Sequence, residues 1–128
     1  MKRFTYFVAQ IALALLLVGC SVEVTEKQRI SNATSSIDAV VAIKETNATV
    51  ATPTEVYVLP KGQKISGDPV FRADNVAGLR LVWDNESQLT IHADKARVFL
   101  NLPVSKIDVP GKSHQLAIDI RLEIKDLK

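Results

Sequence analysis

Residues 79–94, LRLVWDNESQLTIHAD, decide the fold class. Leu79, Leu81 and Trp83 alternate with Arg80, Val82 and Asp84, and Leu89, Ile91 and Ala93 alternate with Thr90, His92 and Asp94. A period of two sends successive side chains to opposite faces of an extended strand, so each run presents one apolar and one more polar face. Asp84-Asn85-Glu86-Ser87 lies between them and is rich in turn formers, so the unit predicts a β-hairpin. Burying the Trp83 ring removes on the order of 200 Å² from water, which makes it the expected anchor of the core.

The pattern extends in both directions. Toward the C-terminus, Arg97 to Leu100 reads as a strand cut off by Pro103. Leu116, Ile118, Ile120, Leu122 and Ile124 then alternate with Ala117, Asp119, Arg121, Glu123 and Lys125, giving a closing strand with one buried and one wet face. Toward the N-terminus, Val70-Phe71 forms a short paired piece ended by Asp74-Asn75. Thr54 to Leu59 forms a strand stopped by Pro60, with turns at Lys61-Gly62 and Gly67-Asp68-Pro69. In Ile37 to Ile43, apolar residues occupy both faces, which predicts a strand covered on both sides, with Thr46 to Pro53 as its loop. About five to seven short strands without helical periodicity predict an all-β domain over 36–128, a small antiparallel sandwich or partly open barrel. Tyr57, Phe71, Trp83 and Phe99 are too few to build both a core and a carbohydrate platform, and are expected in the core.

The other end of the chain is different in kind. In MKRFTYFVAQIALALLLVGCS, residues 1–21, Lys2 and Arg3 precede an apolar run from Phe7 to Val18, and Leu17-Val18-Gly19 leads into Cys20. The apolar run is about 12 residues, short of the roughly 20 that a spanning helix needs. A positive end, a short apolar helix and a small residue before a cysteine resemble a bacterial lipoprotein signal peptide. That resemblance implies a signal peptide over 1–19, cleavage between Gly19 and Cys20, and a thioether-linked diacylglyceryl group with a third acyl chain on Cys20. At about 0.8 kcal/mol per buried CH₂, three chains make a lasting membrane anchor. Ser21 follows where an aspartate would favour inner-membrane retention. The implied location is the outer membrane, facing the periplasm, or the outer leaflet of the cytoplasmic membrane in a single-membrane cell. Residues 20–35, polar and without a sustained period, read as the lipidated cysteine and a flexible tether with a reach of roughly 20 Å.

Cleavage would remove two of the 16 basic residues and leave 14 against 14 acidic ones, so the mature chain is formally neutral and lacks the electrostatic footprint of a nucleic-acid binder. Cys20 is the only cysteine, so no intramolecular disulfide is available and the core alone must hold the fold. The 109 residues from Cys20 onward suffice for one domain. Asn32-Ala33-Thr34, Asn47-Ala48-Thr49 and Asn85-Glu86-Ser87 match a glycosylation pattern short enough to recur by chance in a bacterial chain.

The segments VYVLPKG, DPVFRADNVAGLRLVW and LTIHADKARVF, between Val56 and Phe99, resemble a domain of small bacterial envelope proteins without an assigned activity. The resemblance covers under half of the mature chain and implies strand order, with no site residues.

Catalytic motifs are absent from the sequence: there is no metalloprotease helix, nucleophile elbow or glycine-rich phosphate loop. His92 and Asp94 are two apart on one strand face, where a metal or base pair could project, with Asp74 or His114 as a third group. A surface polar pair is the simpler reading of the two residues, because clusters of perturbed groups in a pocket are the stronger warrant for a site. Lys61, Lys64 and Arg72 cluster around one loop, with Asp68 and Asp74 mixed among them. These features point to a non-catalytic envelope protein without a cofactor or metal, anchored through Cys20 and binding another envelope protein, through an exposed strand edge in the simplest case. The alternative is a small-ligand or metal-binding envelope lipoprotein built on His92 and Asp94.

Overall fold

The computed structural model describes residues 23–45 and 52–125; the segment 1–19 expected as a signal peptide, Cys20 and most of the loop expected over 46–53 lie outside them. Nine strands follow one another in the described chain: β1 (Glu23–Ser31), β2 (Ile37–Glu45), β3 (Thr54–Pro60), β4 (Phe71–Ala77), β5 (Arg80–Asn85), β6 (Gln88–Ala93), β7 (Lys95–Asn101), β8 (Val104–Ile107) and β9 (Leu116–Ile124). They form two open sheets, β1-β2-β3-β4-β7 and β5-β6-β9-β8, packed as a sandwich rather than closed as a barrel.

The hairpin stands where the alternation placed it. Leu81 pairs with Ile91 and Trp83 with Leu89 across β5 and β6. Leu81, Leu89 and Ile91 meet Ile37, Val41, Val56, Phe71, Ile118 and Ile120 between the sheets. β2 is covered on both sides, as its sequence requires: Val40 and Ala42 point away from the main core and pack with Tyr57, Leu59 and the loop residue Ile65.

Four expectations need correction. The segment read as a tether is largely strand, since β1 pairs with β2 from Glu23↔Glu45 to Ser31↔Asp38. Its side chains are mostly polar because it is an edge strand, held by its backbone ladder and by a few long-range contacts. The domain therefore begins within the described chain at Glu23 and not at residue 36. The second sheet is mixed, because β6 and β9 run parallel, Leu89 opposite Ile120 and Ile91 opposite Leu122. Asp74-Asn75 does not end a strand: β4 runs on to Ala77 through a bulge, where Asn75 takes φ 51°. Finally, Phe71 rather than Trp83 is the largest fully buried side chain. Trp83 is half-buried against the core, and its indole N–H donates to Ile30 O at 2.9 Å, latching β1 onto the opposite sheet.

Candidate functional site

His92 and Asp94 do not converge with the other candidate groups. His92 lies opposite Glu123 in the parallel β6–β9 pair, and its Nδ1 stands 3.3 Å from Glu123 Oε2. Asp94 follows β6 and rests over Gly78, whose φ of 65° and missing Cβ leave room for the carboxylate. Asp74 belongs to the other sheet and is held by Arg97, while His114 is exposed in the loop before β9. Among the described residues no three His, Cys, Asp or Glu side chains form a group able to hold a metal ion.

Polar side chains instead form a row on the outer face of the larger sheet. Three buried carboxylates each meet an arginine from a neighbouring strand: Asp38 with Arg29, Glu55 with Arg72, and Asp74 with Arg97. Burial raises the Asp38 carboxyl pKa, but bonds from Gly62 N, Ser31 Oγ and Arg29 outweigh it and hold the group below its ordinary value. Arg97 likewise holds Asp74 low. Glu55 is 1% exposed; its Oε2 accepts from Arg72 at 2.9 and 3.1 Å, while its Oε1 has no partner. Burial, and then the Glu55 charge, push the Tyr57 hydroxyl above its ordinary value. Arg72 is thus committed to an ion pair and does not join Lys61 and Lys64 in a free basic cluster. An open cleft of about 550 Å³ runs between β1 and the loop after β3, lined by Val24, Glu26, Arg29 and residues 62–65. The Arg29 guanidinium in its wall is already bonded to Glu26, Asp38 and Gln63 O.

The exposed edges of the sheets are protected against pairing. β1 carries one extra residue between Glu26 and Gln28, β5 one between Trp83 and Asn85, and β7 one between Val98 and Leu100. The fourth edge, β8, is only four residues long. A bulge twists an edge out of register with any incoming strand, and a short edge offers it few bonds. The inserted residues are Lys27, Asp84 and Phe99. Two carry charge, as edge protection favours. The third is an aromatic ring.

Phe99 is 58% exposed, against the expectation that it joins the core. The bulge explains why: Val98 pairs with Ala73 and Leu100 with Arg72, so Phe99 is the residue left without a partner on β4, while Ala96 and Val98 pack against the core. The Arg97 guanidinium carbon lies 5.2 Å from the ring centroid, so the ion pair with Asp74 and the cation–π contact fix one another. Leu102 and Val104 continue the exposed apolar run. The chain crosses between the sheets here, held by Leu102 N to Val70 O at 2.9 Å and by Ile120 N to Pro103 O at 2.8 Å. Three of the five large apolar side chains left exposed among the described residues thus fall within residues 99–104.

Sequence reasoning missed a second residue. Asn32, noted only for its glycosylation pattern, is 3% exposed. Its Oδ1 accepts from Ser36 N and Ile37 N, and its Nδ2 donates to Ser36 Oγ and to Glu86 O, joining the β1–β2 turn to the β5–β6 turn. The signal available was an Asn four and five residues before Ser36 and Ile37, where a side chain can close a turn on the backbone. No family model, characterised protein or solved structure matches this chain.

Proposed function

We propose that the chain is a lipid-anchored, non-catalytic protein of the bacterial cell envelope that works by binding another envelope protein. The observation that carries the reading is the exposed Phe99, Leu102 and Val104 at the β7–β8 corner. Apolar side chains scattered singly on a surface need no explanation, but here three of the five exposed large ones among the described residues fall within six residues of chain where it passes from one sheet edge to the other, and such a concentration supports an interaction site. The blunted edges move the contact from strand addition to side chains, which revises the simplest sequence expectation. The LVGC run ending at Cys20 supplies the membrane reading; His92 meets Glu123, and among the described residues it joins no group of three able to hold a metal ion, so the alternative built on His92 and Asp94 gains no support.

Two measurements test the reading. Labelled palmitate should enter the chain and be lost in Cys20→Ser, which should also leave the membrane fraction; an unlabelled wild-type chain contradicts the anchor. In mildly solubilised envelopes the protein should migrate on a native gel as part of a larger complex. Migration as the free chain contradicts the partner.

A further inference from the structure

Resting on that reading, we infer that the sandwich stands directly on the membrane that holds Cys20, with the pole where β1 begins against the lipid headgroups and the Phe99–Val104 corner held away from them. Only three steps of chain lead from Cys20 to Glu23, where the ladder to β2 is already formed, and they span at most about 11 Å in any conformation. The tether expected over 20–35 would let the domain drift and turn; a strand in its place leaves little slack for either. The strand directions fix which residues share that pole. β1, β2, β3, β4 and β7 are successively antiparallel, so the end of β2, the start of β3, the end of β4 and the start of β7 lie on the side of Glu23. The second sheet joins them: Asp94 N donates to Ala77 O at 2.9 Å and Lys125 N to Ala93 O at 3.0 Å, so β6 and β9 end there and β5 starts there. Phe99 lies four residues along β7 and four strand spacings across the sheet from β1, which places it more than about 20 Å from Glu23.

The chemistry of the pole suits a hydrated headgroup layer. Its exposed charges balance, Glu45, Asp94 and Glu123 against Arg80, Lys95 and Lys125. Of the large apolar side chains exposed among the described residues, Val24 alone belongs to it, so the pole rests on the surface without a wedge to insert among acyl chains. Anionic lipid neither draws nor repels a balanced surface, which leaves the holding to the anchor. The other pose that a short link permits is on the side shared by β1 and β5, which the Trp83 bond to Ile30 O brings together. That side presents the unpaired N–H and C=O groups of two edge strands, which lose water against a membrane. At the pole, Lys44 N bonded to Pro53 O at 3.2 Å adds to the two bonds above, so the backbone there is largely paired within the protein. The opposite pole, where Thr34, Glu86 and Lys112 line one small cavity, stands off by the nine residues of β1, roughly 30 Å.

The test uses the full-length protein, expressed with its own signal sequence, purified from the membrane fraction and placed in phosphatidylcholine vesicles whose lipids carry a spin label on the headgroup. A fluorophore is attached at one introduced thiol at a time: Lys95→Cys at the near pole, Lys27→Cys on the β1 side and Lys112→Cys at the far pole. Quenching at position 95 should exceed that at 112 and 27 by about fivefold or more. A long Gly-Ser linker inserted between Val22 and Glu23 should bring position 95 down to the level of 112, because the freed domain turns at random. Adding phosphatidylglycerol or salt should leave the quenching at 95 unchanged. Stronger quenching at 27 than at 95 lays the domain on its side and overturns the pole. Equal quenching at the three sites overturns a fixed pose, and quenching that rises with anionic lipid overturns the balanced contact. A chain whose mass shows no lipid and which stays off the vesicles overturns the anchor itself, and the pose with it.

Discussion

Replacing Asn32 with Ala should cost about 3 kcal/mol, although the residue sits in a turn and touches little of the apolar core. The side chain makes four hydrogen bonds. With Ala, the Ile37 N–H is left buried without a partner, at about 1–3 kcal/mol, and the partly buried Ser36 N–H and Glu86 C=O each lose roughly 0.5–1.5 kcal/mol. The assay is urea unfolding followed by the fluorescence of Trp83, the only tryptophan, whose N–H is bonded to Ile30 O close to the same turn. With m near 2 kcal/mol/M for a domain of this size, the midpoint should fall by about 1.5 M. Asn32→Ser separates hydrogen bonding from packing, since its hydroxyl can still accept from the turn backbone, more weakly than the amide. It should recover part of the loss. A midpoint shift below about 0.3 M for Asn32→Ala refutes the reasoning, because on that slope it is under ~1 kcal/mol and less than one orphaned buried donor. Equal shifts for Ala and Ser would assign the cost to packing.

Three further outcomes follow from the same structure. Arg72→Ala leaves the Glu55 carboxylate buried without its partner and should cost about 3 kcal/mol, whereas Glu55→Gln combined with Arg72→Ala should be milder; a single mutant no worse than the double in urea unfolding contradicts this. Asp38 is held below its ordinary pKa in the folded chain, so it binds a proton less readily there than when unfolded; its contribution is full at pH 7 and is lost as pH falls below about 4 through the folded value. Asp38→Asn should flatten that acid limb of the urea midpoint, and an unchanged limb would show that other carboxylates set it. Gly78→Ala forces a Cβ into Asp94 and a non-glycine residue into positive φ; Asp94→Ala should relieve the first cost and leave about 1 kcal/mol from the second, so a double mutant as unstable as Gly78→Ala alone would be inconsistent.

Much of the fold was legible because local alternation coincided with burial. β5, β6 and β9 announce themselves, and β2, apolar on both faces, is indeed covered on both. β1 was not legible for the opposite reason. In EVTEKQRIS only Val24 and Ile30 are apolar, and the strand is fixed by its ladder to β2, the Arg29–Asp38 pair and the Trp83 bond, all of which depend on distant residues. The parallel pairing of β6 and β9 is equally invisible, since alternation specifies faces and not neighbours. The candidate site was harder still. His92 and Asp94 share a strand face in the sequence, but the ladder gives His92 to Glu123. Phe99 reads as core by composition, and only the bulge in β7 shows that its ring is turned out.

The most direct test of the account compares the sheet edges with the corner. Photoreactive side chains are placed one at a time at Lys27 on β1, Val82 on β5, Phe99 on β7 and Val104 on β8 of the full-length protein, and living cells are irradiated. The account predicts the same discrete adduct from positions 99 and 104 and none from 27 or 82. Adducts from 27 or 82, with positions 99 and 104 silent, would contradict it and return the contact to a strand edge.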